Sequence, residues 1–196
     1  DGLWQVEPDD GAQGGSRIRC RIDQDDIPRS SAVSAIVYGP GTFGFRYRNS
    51  KDGERLRWRV GEKTTTLKSS ADEWLSFQQF VPAGANHVAW LAVAEDSRES
   101  SVSVDGCTFE PARNLREASE IPFPFESEGG IDWVGIRSDE GPHGADVVIP
   151  GGSLLPGEHT SLRTEIQGPA TIRFWVKHDE IRFILEIDGN LQFYRE

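Results

Sequence analysis

The residues of this 196-residue sequence with the clearest capacity for chemistry are arginines, set two apart along strand-like runs. FRYR and ERLRWRV place Arg46, Arg48, Arg55, Arg57 and Arg59 on alternate positions, with Phe45, Tyr47, Leu56, Trp58 and Val60 interleaved. Such alternation sends the apolar set to one face of a sheet and the arginines to the other. RIRCRI repeats the pattern with Arg17, Arg19 and Arg21. Like charges on neighbouring strands destabilise, so a partner is expected. A planar guanidinium suits carboxylate, sulfate or aromatic groups. The five arginines of 46–59 are therefore expected to share one hairpin face and to meet an acidic surface, either another copy's loops or an anionic glycan. The plainer alternative is a solvated face neutralised by the acids crowded into nearby loops, such as Asp52, Glu54, Asp72, Glu73, Glu95 and Asp96.

Catalysis finds no comparable support. His87, His143 and His159 are scattered without metal-binding spacing, and His178 sits in a loop beside Asp179 and Glu180. No Ser lies in a G-x-S-x-G elbow, and the Gly-rich stretches open no helix that would cradle phosphate. The sequence is expected not to be an enzyme and to need no cofactor; a structural calcium ion is the alternative to acidic loops of the kind any acidic protein carries. For that ion, Asp9, Asp10, Asp23, Asp25, Asp26 and Asp139 are the candidate oxygen donors, though none has EF-hand spacing.

Bulk properties narrow the partners. A net charge of −11 argues against nucleic acid, whose phosphates require a surplus of Lys and Arg. No apolar run approaches the roughly 20 residues that span a bilayer. The sequence contains no Met, so Asp1 is read as the start of a processed or excised piece of a longer product.

The elements that would position these residues are legible through an internal repeat. GPGTFGFRYR at 39–48 returns as GPATIRFWVK at 168–177, an offset of 129 residues. The same offset carries Trp4 onto Trp133, Asp10 onto Asp139 and Gly15 onto Gly144. Past the Gly-Pro the offset falls to 127, because NSKDGER is two residues longer than HDEIR, and LRWRV then lies on FILEI. Length changes mark loops, and a period this long marks a duplicated domain rather than a solenoid. Aligning the copies turns Val33, Ala35, Val37, Phe43, Phe45, Tyr47, Leu56, Trp58 and Val60 inward. With WLSFQQFV, HVAWLAV and SVSVDGCTF, the first copy reaches roughly eight strands, the count of a two-sheet jelly roll. The expected fold is therefore an all-β, antiparallel jelly-roll sandwich. Its complete copy spans 1–111, a linker covers 112–130, and the front strands of a second copy span 131–196.

In a jelly roll the first and last strands run side by side, which makes a Cys20–Cys107 disulfide geometrically reasonable. The alternative is two buried thiols. A bridge would stabilise by about 2–5 kcal/mol and imply an oxidising compartment.

The order GPGTFGFRY, LRWRVG, EWLSFQQFVPAGANHVAWLAV and SVSVDGCTF resembles a jelly-roll repeat module of large secreted and surface-anchored bacterial proteins, related in shape to MAM and concanavalin-like domains. The resemblance covers about 3–111 and, in its first half only, 131–196. It implies a non-catalytic extracellular module for structure, assembly or adhesion, whose partners are other protein copies or the rest of a larger parent chain. A carbohydrate-binding module for anionic or neutral glycans is the first alternative, and an accessory domain of a secreted hydrolase the second. The aromatic pair after the Gly-Pro survives as Phe174-Trp175 but is Phe45-Arg46 in the first copy. Trp175 beside Ile184 thus forms an expected apolar contact spot belonging to the second copy alone.

Overall fold

The computed structural model describes residues 3–22, 30–49, 54–68, 73–94, 100–115, 124–138, 146–169, 171, 174–176 and 183–195. The fold is all-β and antiparallel. Seven strands, β1 (Leu3–Pro8), β2 (Ser16–Ile22), β3 (Ser30–Asn49), β4 (Glu54–Val60), β5 (Lys63–Thr66), β6 (Leu75–Ala94) and β7 (Ser100–Pro111), form one sheet in the order β1-β2-β7-β3-β6-β4-β5.

That single sheet makes both layers of a sandwich. Along the β3–β6 ladder, Phe43 registers with Gln79 and Val33 with Trp90, ten residues apart. On a flat sheet Phe43 and Trp90 would be roughly 30 Å from one another. Their ring centroids are instead 5.9 Å apart, and Phe43 also stacks on Trp58 at 5.2 Å. The sheet must therefore double over where the ladder shifts register, between Gly39 and Gly41. One layer holds β1, β2, β7 and the 41–49 half of β3 with the 75–81 half of β6. The other holds the remaining halves of β3 and β6 with β4 and β5. Between the layers lie Cys20, Ile22, Phe43, Phe45, Tyr47, Leu56, Trp58, Val60, Val88, Trp90 and Ala92, all buried. Alternation along each strand selects this set, as expected of half-buried strands. Val33 and Val37 also pack on the core, whereas Ala35 is exposed.

Contacts divide the chain into Asp1–Glu165 and Ile166–Glu196. The first unit also contains β8 (Phe125–Gly129) paired with β11 (Thr160–Thr164), and β9 (Trp133–Arg137) paired with β10 (Asp146–Pro150). Strand β8 thus falls inside the stretch 112–130. Main-chain hydrogen bonds between Arg113 and Gly135, and from the Ala83 N–H to the Gly151 carbonyl at 3.0 Å, join these strands to the sandwich. Among the described residues, the second unit contains the hairpin of β12 (Phe183–Ile187) and β13 (Asn190–Arg195).

Two hairpins recur at the repeat offsets. Strands β9 and β10 lie where β1 and β2 map, although Trp133 opposes Pro150 while Trp4 opposes Cys20, a slip of one residue. Strands β12 and β13 lie where β4 and β5 map, and Ile187 opposes Asn190 as Val60 opposes Lys63. Both of these tight loops use left-handed residues: Gly61 at φ 57° in one, Asp188 at 50° and Gly189 at 73° in the other. Two-residue hairpin loops favour glycine and aspartate for that reason. The Gly39–Pro40 and Gly168–Pro169 peptide bonds are both cis.

The expected disulfide is not formed. Strands β2 and β7 are neighbours, but Cys20 registers with Val102, five positions from Cys107. At about 3.3 Å per residue the two lie far outside the roughly 7 Å Cα separation a bridge tolerates. Cys20 is buried in the core and Cys107 is exposed. Desolvation around the sulfur, reinforced by the Asp105 charge, pushes the Cys107 thiol above its ordinary value.

Candidate functional site

The outer face of the β1-β2-β7-β3 layer gathers most of the charged chemistry. Alternation turns Arg17, Arg19 and Arg21 of β2 and Arg46 and Arg48 of β3 outward, and Trp74 stands just before β6 on the same side. The Arg46 and Arg48 guanidiniums lie 5.1 and 5.0 Å from the centre of the Trp74 ring, within cation–π range. Asp9 accepts a hydrogen bond from the Gly11 N–H at 2.8 Å, pairs with Arg17, and pairs with Arg48 at 3.0 Å. Glu7 meets Arg21 at 3.1 Å, Arg19 at 3.4 Å and Arg17 at 3.5 Å. Asp105, buried, accepts from the Gln13 N–H at 2.6 Å and lies 3.9 Å from Arg46.

This is an ionic lattice that pins the 9–15 loop and the β1 edge onto β3. The charge that sequence alternation left unbalanced is met locally, by acids on the neighbouring strand and loop. At Glu7, desolvation pushes the carboxyl up, but the Arg21 charge and hydrogen bonds from Arg19 and Arg17 outweigh it and hold it below the ordinary range. At Asp9 the Gly11 N–H, followed by Arg17 and Arg48, lowers the carboxyl despite desolvation. A carboxylate lowered in the folded state contributes stability above the unfolded-state range and loses it as pH falls through and below that range. The urea midpoint of the native chain is therefore expected to drop as pH falls below about 4. A Glu7→Gln/Asp9→Asn double variant should have a lower midpoint at neutral pH and a flatter acid limb, measured by tryptophan fluorescence. Parallel acid limbs in the two proteins would contradict the lattice.

The five arginines singled out by spacing do not share a face. Because the Phe43 and Phe45 rings pack against Trp58 across the core, the 41–49 half of β3 and β4 belong to opposite layers. Arg46 and Arg48 consequently point away from one layer, and Arg57 and Arg59 away from the other. The Arg55 side chain lies outside the described residues. Arg57 and Arg59 make no ion pair among the described residues, and Thr66 and Thr64 of β5 stand opposite them. Trp74, which draws no notice in the sequence as more than a strand-opening aromatic, proves to be the platform beneath Arg46 and Arg48. Its signal was the Trp one position ahead of the alternating run LSFQQF.

Of the calcium candidates, the Asp9 oxygens are engaged by Arg17, Arg48 and Gly11, and Asp10 is exposed in the same loop. Asp23, Asp25, Asp26 and Asp139 lie outside the described residues. No cluster of three or more His, Cys, Asp or Glu that could hold a metal occurs among the described residues. No helix among them is long and apolar enough to cross a membrane.

In the second unit Trp175 is 72% exposed and Ile184 49%. Phe174, Val176 and Ile187 are exposed beside them in sequence. Among the described residues of 174–187, these five large apolar side chains are thus exposed.

No family model matches the sequence, and no curated protein matches it. Similar solved structures include TmCBM61 in complex with beta-1,4-galactotriose, at 15% identity and a TM-score of 0.40, covering 55% of this chain and 88% of that one. A CBM4 structure is similar at 10% identity and 0.40, covering 56% and 89%. The secreted serine protease VesC from Vibrio cholerae is similar at 13% identity and 0.40. That match covers 48% of this chain and only 21% of the protease.

Proposed function

We infer that this chain is a non-catalytic extracellular β-sandwich module whose work is protein contact, in assembly or adhesion on a bacterial surface or within a secreted protein. On this reading residues 1–111 form the first sandwich copy, 112–130 lead on from it through β8, and 131–196 repeat the first copy's front strands. The observation that carries the reading is the exposed apolar run of Phe174, Trp175, Val176, Ile184 and Ile187. Large apolar side chains exposed within one short segment suit an interaction surface, and a two-stranded hairpin is marginal in water without something to pack on. The Arg17, Arg19, Arg21, Arg46 and Arg48 groups favour a structural role, since acids of the same chain already engage them. The reading needs no cofactor.

Carbohydrate binding is the second reading, favoured by one feature: the Trp175 indole, largely exposed, offers a flat apolar surface on which a sugar ring could stack. Sedimentation velocity across the micromolar range separates the two. Weak association of the native chain, abolished in a Trp175→Ser/Ile184→Ser variant, is the expected result, with no retention on a glycan array. A strictly monomeric chain retained by glycans through Trp175 would overturn the contact reading in favour of the carbohydrate one.

A further inference from the structure

The outer face of the second layer, unlike that of the first, is built from strands without acids. No Asp or Glu occurs in 30–38, 55–60, 63–66 or 85–94, in a chain that carries 32 of them. The flat of this layer is paired strand to strand: Ile36 opposes His87 and Tyr38 opposes Ala85, while Arg59 lies between Ala89 and Thr64, and Arg57 between Leu91 and Thr66. Tyr38 is 73% exposed and Ile36 53%. The face thus has an apolar pole on β3 and a cationic pole on β4, with β6 between them. Strand β12 repeats β4 but changes both outward positions: Ile184 stands for Arg57 and Glu186 for Arg59. Ile184 and Glu186 are exposed, as is Trp175.

We propose that these surfaces are partners: Trp175, Ile184 and Glu186 of one chain dock on the Ile36, Tyr38, Arg57 and Arg59 face of a second copy of the same chain. The poles match in kind. Trp175 and Ile184 cover Tyr38 and Ile36, aromatic and arginine groups being those that interface centres favour. Glu186 meets the arginine pole, where a carboxylate suits a planar guanidinium. Such a charge pair sets orientation and excludes wrong partners more than it adds affinity. The face cannot receive its own kind, because two arginine poles brought together repel. The contact is therefore heterologous, each chain offers both halves, and association runs head to tail instead of closing as a two-fold dimer.

The inference rests on the contact reading but is tested separately from it. Two variants of the intact chain are followed by sedimentation velocity across the micromolar range. Tyr38→Ser/Arg59→Glu blunts the receiving face, and Trp175→Ser/Ile184→Ser blunts the docking one. Each alone is expected to self-associate about tenfold or more weakly than the native chain, with an unchanged near-ultraviolet circular dichroism spectrum. Mixed together they should associate again, because one keeps the docking surface and the other the receiving face. The mixture should stop at a one-to-one pair, weakened by added salt, while the native chain grows past the dimer. Native-like association of the Tyr38→Ser/Arg59→Glu variant, or a mixture that forms no pair, overturns the proposal and leaves the contact reading standing. A native chain that stays monomeric removes the contact reading itself, and this partner with it.

Discussion

Replacing Trp58 by Ala is expected to cost about 3–5 kcal/mol of folding stability, the range for emptying a large aromatic from a core. The reason is its place between the layers. Trp58 is fully buried and stacks on Phe43 at 5.2 Å with the ring planes 13° apart. It also meets Phe45 and Trp90, each at 5.0 Å. These contacts come from both halves of the folded sheet, so the cavity would open at the seam that makes the sandwich. An aromatic of this size buries roughly 150–250 Å², and no rigid neighbour can collapse into that space without moving a strand. The indole N–H has no acceptor among the described residues, which makes the loss one of packing and not of hydrogen bonding. Urea unfolding followed by near-ultraviolet circular dichroism should show a midpoint shift with little change in slope. Trp58→Phe, which keeps the stack on Phe43, should lose much less. A loss under about 1 kcal/mol for the alanine variant would contradict a core centred on this residue.

That core was legible in the sequence because alternation with period two is local. Phe43, Phe45, Tyr47, Leu56, Trp58 and Val60 are each inward on their own strand, and the second copy fixes each register. The same locality explains what stayed hidden. Alternation says which side of its own strand Arg57 occupies but not which layer that strand joins, so Arg46 and Arg57 read as one face and fold onto two. Adjacency of β2 and β7 followed from strand order, while the registration of Cys20 with Val102 depends on loop lengths between them. Gly39-Pro40 and Pro82-Ala83-Gly84 each carry turn chemistry, which splits β3 and β6 into four short strands on paper. In the fold the two breaks lie side by side, Gly39 opposite Gly84, and the ladder runs on through the bend. Trp74 became informative only once β3 brought Arg46 and Arg48 over it.

The bend itself yields the second large effect, at a glycine whose backbone angles are ordinary. A methyl group added at Gly39 would lie 2.6 Å from the Val81 carbonyl oxygen and closer still to that of Pro82. Both obstacles are backbone of the strand paired with it, so no side chain can swing aside to admit the group. Gly39→Ala must push β3 and β6 apart where the sheet doubles over, and overpacking of this kind costs about 1–3 kcal/mol, sometimes more. The matched control is Gly130→Ala, where the new methyl meets nothing within 4 Å, and which should change stability by no more than about 0.5 kcal/mol. Because the bend positions Phe43 against Trp90 and Trp58, the alanine variant should also weaken the near-ultraviolet signal of that cluster before unfolding begins. If Gly39→Ala proved as stable as Gly130→Ala with an unchanged aromatic signal, the two long strands could not be crossing this closely, and a sandwich made by folding one sheet would have to be given up.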